Sequence, residues 1–313
     1  MNPSHNPSLA ALSSASDALT SGVTPRPMQI VILSGLSGSG KSIALNLLED
    51  ASYYCVDNLP PALLRPLVDQ LARHAYDKVA VAIDIRGGDG IEDLPQHLAA
   101  LRAAGVKVNF LFLDAKTETL HKRYSETRRR HPLANGQRSL TEAIAEERAR
   151  LVHVADLGHR VDTSDLKPNT LREWIRQFIL DDAPSASAGL TLFFESFGFK
   201  HGLPLDAEFV FDVRCLPNPH YEPLLRALTG RDAPVAAFLA AEPEVIRMRD
   251  DIARFVASWL PNFVRDNRNY LTVGIGCTGG QHRSVYLAEW LGKEFQSAAR
   301  VLVRHRELPF KTS

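Results

Sequence analysis

Residues 35–42 are Gly-Leu-Ser-Gly-Ser-Gly-Lys-Ser, and they follow the apolar segment 28–33 and begin the amphipathic segment 41–49. This spacing satisfies the phosphate-binding pattern G-x-x-x-x-G-K-[ST]. In that pattern the glycines let backbone N–H groups point at a phosphate, the lysine reaches the β and γ oxygens, and the serine hydroxyl ligates Mg²⁺. The start of the following helix adds the positive end of its dipole. The predicted cofactor contacts are Gly35, Leu36, Ser37, Gly38, Ser39, Gly40, Lys41 and Ser42, with Lys41 and Ser42 acting on the phosphates and Ser42 on the metal.

Strand and helix patterns alternate outward from this loop. Apolar runs at 79–84 and 108–114 each end in a carboxylate, and a helical segment at 91–104 separates them. Such alternation implies a parallel sheet covered by helices, which is an α/β fold. We therefore predict a P-loop NTPase-type domain over residues 28–183. Its further predicted elements are the helix 140–151, the strand 159–161 and the helix 169–180.

A stretch of small residues with a proline, Asp181 to Gly189, interrupts the periodic pattern and predicts a domain boundary. A second α/β domain is predicted over residues 190–313. Its predicted strands are 190–196, 208–213 and 270–275, and its predicted helices are 243–259 and 284–295. Residues 1–27 carry few charges and no continuous apolar stretch, so we predict a disordered extension, and Met28 is a candidate for the biological start.

Charge and cysteine usage exclude several classes of protein. The 313 residues contain 36 basic and 36 acidic side chains, so the averaged surface has no general attraction to nucleic acid or anionic lipid. The three cysteines stand far apart, which argues against a disulfide framework and against a structural zinc site. No apolar run approaches the roughly 20 residues that span a bilayer. These features predict a cytoplasmic protein.

A P-loop site also needs a carboxylate that orients Mg²⁺ or its water. Asp57, Asp84 and Asp114 each end or follow an apolar stretch, although aspartate is also common in turns just past a strand. Asp57 is favoured because it lies one strand-helix step after the P-loop. The stretch 121–132 adds a cluster of basic residues that can close over the nucleotide or form a solvated helix face. Its members are Lys122, Arg123, Arg128, Arg129 and Arg130.

A second strand, glycine loop and helix occur at residues 270–295, and they outline a second anion cradle. Cys277 and Arg283 are spaced as C-x5-R-S, the pattern of tyrosine-phosphatase-type loops, where a thiolate attacks phosphorus. A phosphatase would need a general acid, for which Asp206 and Asp212 are candidates. The alternatives are a loop that binds a phosphorylated small molecule, which we favour, and a structural turn.

Longer motifs resemble the RapZ/YvcJ family of nucleotide-binding proteins, from about Met28 to the last helix. The resemblance rests on GLSGSGKS, YYCVDNLP, AIDIRG, RYSETRRRHPL, SFGFKHGLPLDAEFVFDVRCLPNPHY, TGRDAPV and GIGCTGGQHRSV. It implies an ATP- and GTP-binding protein with weak hydrolytic activity and a mainly regulatory role. ATP would bind at Gly35 to Ser42, and the guanine nucleotide at Asp84, Ile85, Arg86 and Gly87.

The resemblance also implies partners. The C-terminal domain of the family is associated with sensing the phosphosugar glucosamine-6-phosphate, and the matching positions are Asp212, His220, Thr278, Gly279, His282 and Arg283. One enterobacterial member is an RNase adapter that binds small RNA, with a basic C-terminal tail contributing. Here Glu307 and Pro309 interrupt the basic tail, which weakens the implied RNA binding. A homo-oligomer is expected, and a small-molecule kinase remains an alternative. The basic residues of the tail are Arg300, Arg304, Arg306 and Lys311.

Overall fold

The computed structural model describes residues 28–85, 90–134, 138–164, 166–179, 190–266, 268 and 270–308. The predicted extension 1–27 and the predicted linker 181–189 lie outside the described residues. Within the described ranges, no helix is both long enough and apolar enough to cross a membrane.

The first half of the chain forms a five-stranded parallel sheet with strand order β2-β3-β1-β4-β5. Strand β1 is central and buried along its whole length. The elements are β1 (Gln29–Gly35), α1 (Lys41–Asp50), β2 (Tyr54–Val56), α2 (Leu64–Arg73), β3 (Lys78–Ala82), α3 (Leu94–Ala103), β4 (Lys107–Asp114), α4 (Thr117–Thr127), α5 (Leu140–Ala155), β5 (His159–Asp162) and α6 (Pro168–Ile179).

Helices cover both faces of this sheet. Side chains along β1 alternate in direction, so successive residues pack against helices on opposite faces. Ile30 and Ile32 pack in one core cluster with α2, α3 and α5. Val31 and Leu33 pack in another with α1 and α6. A central strand that is apolar at successive positions is what a parallel sheet buried on both faces requires. The predicted α/β fold with a P-loop-type parallel sheet is confirmed.

The second half forms a four-stranded parallel sheet with strand order β7-β8-β6-β9. Its core lies between the sheet, α7, α8 and α9. The elements are β6 (Thr191–Gly198), β7 (Phe209–Asp212), α7 (Ala233–Ala241), α8 (Pro243–Arg265), β8 (Tyr270–Cys277), α9 (Arg283–Glu294) and β9 (Arg300–His305).

The segment expected to be a basic tail begins instead as strand β9, paired with β6. Arg304 is only 5% exposed, and its guanidinium lies 3.3 Å from the Glu195 carboxylate and 3.6 Å from that of Asp206. Arg306 lies 3.4 Å from the Asp162 carboxylate of the first sheet. The tail prediction was wrong for these two arginines, because their side chains lie beside the buried carboxylates of Asp162, Glu195 and Asp206. Lys311 lies outside the described residues.

An aromatic cluster joins the two sheets near these charges. His159 of β5 is 3% exposed and stacks on Trp174 and Phe193, with ring centroids 5.3 Å and 4.3 Å away. Tyr270 of β8 contacts its edge. Burial, together with the nearby Arg304 charge, lowers the pKa of His159 to about 3. The two sheets are therefore packed through a core in which this histidine is neutral.

This buried histidine predicts how stability depends on pH. The unfolded chain takes up a proton on His159 below about pH 6.5, whereas the folded chain excludes it until about pH 3. Stability from this residue is therefore lost as pH falls, by about 1.4 kcal/mol per pH unit well below pH 6.5. Urea unfolding at pH 7, 6 and 5 measures the slope. In His159→Phe the slope is expected to be shallower by this amount, and equal slopes would contradict the prediction.

Candidate functional site

The P-loop leaves the carboxyl end of β1 at a place that only glycine can occupy. Gly35 has φ +132°, and a Cβ there would lie 2.0 Å from the backbone carbonyl oxygen of Leu113 on β4. The neighbours of β1 are β3 and β4, which connect to it on opposite sides. Ligands of open parallel sheets bind at the carboxyl ends of strands where the strand order reverses in this way. The sheet therefore presents the loop at the edge where a ligand is expected.

Lys41 is folded over the loop that precedes it. Its Nζ donates hydrogen bonds to the carbonyl oxygens of Gly35 at 2.7 Å and Leu36 at 3.1 Å. The same Nζ lies 3.9 Å from a carboxylate oxygen of Asp84, which is 3% exposed and follows β3. The lysine charge is thus held between the loop and a buried carboxylate.

The three candidate carboxylates have different surroundings. Asp114 is fully buried, and its carboxylate accepts hydrogen bonds from Arg148, at 2.8 Å and 2.7 Å, and from Arg160. Asp57, favoured from the sequence, is exposed at the end of β2. Strand β2 is separated from β1 by β3, so the carboxylate that follows β3 reaches the P-loop instead. Of the three, Asp84 is the one that contacts Lys41.

Part of the basic stretch contacts the loop directly. Arg123 donates hydrogen bonds of 3.0 Å to the carbonyl oxygen of Gly38 and to the hydroxyl of Thr163. Thr163, just after β5, donates in turn to the carbonyl oxygen of Ser39 at 2.8 Å. Arg123 thereby joins α4 to the P-loop and to the end of β5.

A cavity of about 820 Å³ opens beside the loop. It lies between residues 38–43, α4 and the start of α6, and its lining includes Lys122, Arg123, Arg129 and Lys167. This volume is in the range of small-ligand sites, and the cationic lining suits an anion. Among the basic residues singled out from the sequence, Arg128 and Arg130 are exposed, and Arg128 caps the end of α4.

The predicted guanine-nucleotide segment is only half described. Asp84 faces Lys41 and so belongs to the P-loop site, and Ile85 follows it. Arg86 and Gly87 lie outside the described residues.

The second anion cradle lies at the carboxyl end of β8. Arg283 begins α9 and is 4% exposed. One guanidinium nitrogen donates to the carbonyl oxygens of Arg214 at 2.8 Å and Leu216 at 2.9 Å. The other donates to the Thr278 hydroxyl at 3.4 Å. The arginine thus fixes the loop after β8 against the loop after β7.

Cys277 lies at the base of this cradle and is 2% exposed. Its Sγ accepts a hydrogen bond from the Gly280 backbone N–H at 3.2 Å, and it lies 3.1 Å from the Ser284 hydroxyl. Burial raises the pKa of the thiol, but hydrogen bonds from Ser284 and from the N–H groups of Gly280 and His282 outweigh it, so the pKa is lowered. These donors at the start of α9 are of the kind that favour the deprotonated form of a cysteine over the thiol.

The other predicted ligand residues border the same loop. Asp212 ends β7 and is the register partner of Gly276 on β8. Its pKa is lowered, chiefly by the hydrogen bond from the Arg214 side chain. The rings of His220 and His282 are 6.3 Å apart, which brings the two loops together.

Two residues change the sequence interpretation of this cradle. Asp206, one of the two general-acid candidates, is bound to Arg304 and accepts from the Asp162 N–H at 2.9 Å, so it belongs to the interface between the sheets. Lys200 was missed. Its backbone N–H donates to the Thr278 carbonyl oxygen at 3.3 Å, and its Nζ would be 3.9 Å from a Cβ on Gly279. Its place in the SFGFKHG motif was the available signal.

Comparisons with known proteins give consistent matches along the chain. Residues 28–183 match the family model described as the RapZ-like N-terminal domain, and residues 190–309 match the RapZ C-terminal domain. A nucleotide-binding protein of Dechloromonas aromatica (strain RCB) is 63% identical over 281 residues, 90% of this chain and 99% of its own length. One of Azoarcus sp. (strain BH72) is 62% identical over 279 residues, 89% of this chain and 94% of its own length.

Solved structures resemble about half of the chain. An unliganded sugar kinase from Janibacter sp. HTCC2649 is 22% identical, with a TM-score of 0.34, and the match covers 50% of this chain and 97% of that one. A shikimate kinase from Bacteroides thetaiotaomicron is 12% identical, with a TM-score of 0.35, and the match covers 49% of this chain and 99% of that one.

Proposed function

The chain belongs to the RapZ family, with both the RapZ-like N-terminal and the RapZ C-terminal domain, and we propose that it binds a nucleoside triphosphate at Gly35–Ser42. The observation that carries this proposal is the placement of Lys41. Its charge lies at the carboxyl edge of the first sheet, beside a cavity lined by further cations. Relatives that share about three fifths of its residues are named nucleotide-binding proteins.

The residues at this site have chemistry that suits a nucleotide with Mg²⁺. Lys41 offers its charge to phosphate oxygens, and Arg123 and Arg129 line the same cavity. The hydroxyl of Ser42 and the carboxylate of Asp84 are hard oxygen ligands, which Mg²⁺ prefers together with phosphate oxygens and water. Bound Mg²⁺ would neutralise phosphate charge during a slow hydrolysis.

Both ATP and GTP are proposed as ligands, as the family resemblance implies. Calorimetric titration of the full chain with each nucleotide, in the presence of Mg²⁺, tests this. Binding of one nucleotide alone would restrict the proposal to it, and binding of neither would reject the proposal.

The second cradle is proposed to bind a phosphosugar, glucosamine-6-phosphate. Support comes from the gathering of Asp212, His220, Thr278 and His282 around the loop that Arg283 fixes. The glycine loop leads into α9, whose N-terminus favours a phosphate. The ammonium group of the sugar would share with Arg214 the carboxylate of Asp212, whose pKa is lowered chiefly by the hydrogen bond from that arginine.

Arg283→Ala is expected to abolish detectable binding of glucosamine-6-phosphate by calorimetry. The variant removes both the charge and the bonds that position Thr278 and the loop after β7. Thr278→Ala removes only a loop hydroxyl, so it is expected to weaken binding by roughly tenfold, the effect of one hydrogen bond to a charged group. Unchanged affinity in Arg283→Ala would show that the phosphosugar does not bind at this loop.

Cys277→Ser is the matched control, and it also tests the alternative of a cysteine-dependent phosphatase. The lowered pKa of the Cys277 thiol favours that alternative. If the loop only binds, Cys277→Ser retains affinity and wild type does not hydrolyse a phosphomonoester. Hydrolysis by wild type that disappears in Cys277→Ser would establish the phosphatase instead.

We extend the proposal to a regulatory role in the cytoplasm, as a homo-oligomer that binds small RNA and presents it to an RNase or another regulatory protein. This role rests on the family resemblance. Arg128, Arg129 and Arg130 are exposed and are therefore suited to contact RNA phosphates, whereas Arg304 and Arg306 are not. An RNA affinity of wild type that falls steeply with salt would support it, and the absence of RNA binding would reject it.

A further inference from the structure

Ser37, the third residue of the P-loop, is bound by a carboxylate that is 110 positions away in the sequence. The backbone N–H of Ser37 donates to Oε2 of Glu147 at 3.0 Å, and its hydroxyl donates to Oε1 at 2.7 Å. Glu147 lies on α5 and is fully buried, and Ser37 is 2% exposed. The motif that defines the P-loop contains no acidic residue, so this contact is outside the phosphate-binding pattern.

His131 is the third partner of this carboxylate. Its Nε2 lies 3.0 Å from Oε2 of Glu147, and its Nδ1 accepts a hydrogen bond from the Leu133 backbone N–H at 3.1 Å. A ring nitrogen that accepts a hydrogen bond carries no proton, so Nε2 carries it and donates to Glu147. With His131 and Ser37 as donors, both oxygens of the Glu147 carboxylate accept hydrogen bonds.

Burial raises the pKa of Glu147, but the hydrogen bonds from His131 and Ser37 outweigh it, with a smaller contribution from the Lys41 charge, and the pKa is lowered. The carboxylate is thus ionised and has donors on both oxygens. A carboxylate is buried in a protein only when such partners offset its loss of hydration. Removing it would leave the Ser37 N–H and hydroxyl and the His131 N–H without their acceptor.

The contact acts on a loop that is held from its other side as well. Arg123 binds the Gly38 carbonyl oxygen, and Lys41 binds the carbonyl oxygens of Gly35 and Leu36. Ser37 is the residue between these attachments, and Glu147 is what holds it. A curled loop can direct its N–H groups at a phosphate only if every residue of the curl is positioned.

We propose that Glu147 is a positioning residue, which holds Ser37 so that the P-loop keeps its phosphate-binding curl. The inference rests on the proposed nucleotide binding at this loop. Glu147 acts through Ser37 and not by contact with the nucleotide. His131 contributes to this positioning indirectly. It orients the Glu147 carboxylate and connects it to the arginine-rich segment that carries Arg129.

Two substitutions at Glu147 separate positioning from charge. In Glu147→Gln the amide oxygen can accept from the Ser37 N–H and from His131, and the amide nitrogen can donate to the Ser37 hydroxyl, so the arrangement of bonds is kept. In Glu147→Ala the carboxylate that accepts from Ser37 and His131 is lost. Affinity for ATP with Mg²⁺, measured by calorimetry on the full chain, is expected to fall by about tenfold to a hundredfold in Glu147→Ala. In Glu147→Gln it is expected to stay within about threefold of wild type.

Leu151→Ala is the matched structural control. Leu151 is fully buried on the same helix and contacts the core below the sheet, so its loss destabilises the protein without touching Ser37. Its midpoint of thermal unfolding is expected to fall while its affinity for ATP stays within about twofold, because the cavity forms away from the loop. This control separates a weakened site from a weakened fold.

Three outcomes decide the inference. Retained affinity in Glu147→Ala would overturn it, and so would an equal loss in the Gln and Ala variants, which would assign the effect to charge. An equal loss in Leu151→Ala would show that affinity only follows global stability. If wild type itself binds no nucleotide, the proposed function fails, and that result differs from wild-type binding that Glu147→Ala leaves unchanged.

Discussion

Lys41→Ala is expected to lower the affinity for ATP or GTP by about a hundredfold or more. The Lys41 ammonium group is the charge placed between the loop carbonyl oxygens and Asp84, at the carboxyl edge of the sheet. Its loss removes about 3 kcal/mol of charge-assisted binding, and it leaves the Asp84 carboxylate to repel the phosphates. Calorimetric titration of wild type and variant measures the change.

Lys107→Ala is the control for this experiment. Lys107 begins β4 at the amino edge of the same sheet, opposite the P-loop. Its replacement removes the same charge from the same domain, but it is expected to leave nucleotide affinity unchanged. A similar loss in both variants would show that net charge and not the P-loop lysine determines affinity. Unchanged affinity in Lys41→Ala would show that the nucleotide does not bind at this loop.

Arg304→Met is expected to destabilise the protein by about 3 kcal/mol. Methionine fills much of the same volume, but the buried carboxylates of Glu195 and Asp206 lose the cation beside them. Breaking a buried ion pair on one side typically costs 3–5 kcal/mol because the remaining charge is uncompensated. Chemical unfolding at pH 8 measures the difference in the free energy of unfolding from wild type.

The effect of Arg304→Met should also depend on pH. The pKa of Glu195 is raised to about 8, first by burial and then by the Asp206 charge. A carboxyl whose folded pKa exceeds its unfolded value stabilises the protein at low pH, and this stability is lost as pH rises through the folded pKa. Without Arg304, ionised Glu195 is less favourable still. We therefore expect a smaller destabilisation at pH 6 than at pH 8.

Arg254→Met is the matched control. Arg254 is exposed on α8 and pairs with Asp251 three residues earlier. Exposed pairs of this kind contribute about 0.5 kcal/mol or less. A similarly small effect of Arg304→Met would contradict the prediction that Arg304 compensates the buried charges of Glu195 and Asp206. It would instead support a solvated basic tail.

The Lys41→Ala experiment could have been designed from the sequence alone, whereas the Arg304→Met experiment could not. The P-loop is a local motif, and the strand and helix on either side of it follow from the alternation of apolar residues. Strand β9 was missed because Arg300, Arg304 and His305 interrupt its apolar pattern. Arg304 and His305 are compatible with a buried strand because Glu195, Asp206 and Glu289 lie beside them, and Arg300 donates to the Phe178 carbonyl oxygen.

The order of strands in the first sheet is a second feature that only the tertiary structure determines. Chain order made Asp57 the favoured carboxylate, since it follows the strand after the P-loop. In the sheet, β3 and not β2 lies beside β1, and so Asp84 meets Lys41. Strand order depends on how helices pack over both faces, and no spacing within a single motif encodes it.

The sequence by itself determined the α/β class, the P-loop at Gly35–Ser42 and a second glycine loop near Arg283, because each depends on residues that are close in the chain. Tertiary structure alone decided that Glu147 holds Ser37, that Asp84 faces Lys41 and that Arg304 is buried. Each of these contacts joins residues more than 40 positions apart. Such contacts depend on packing between elements, and a local pattern carries no information about them.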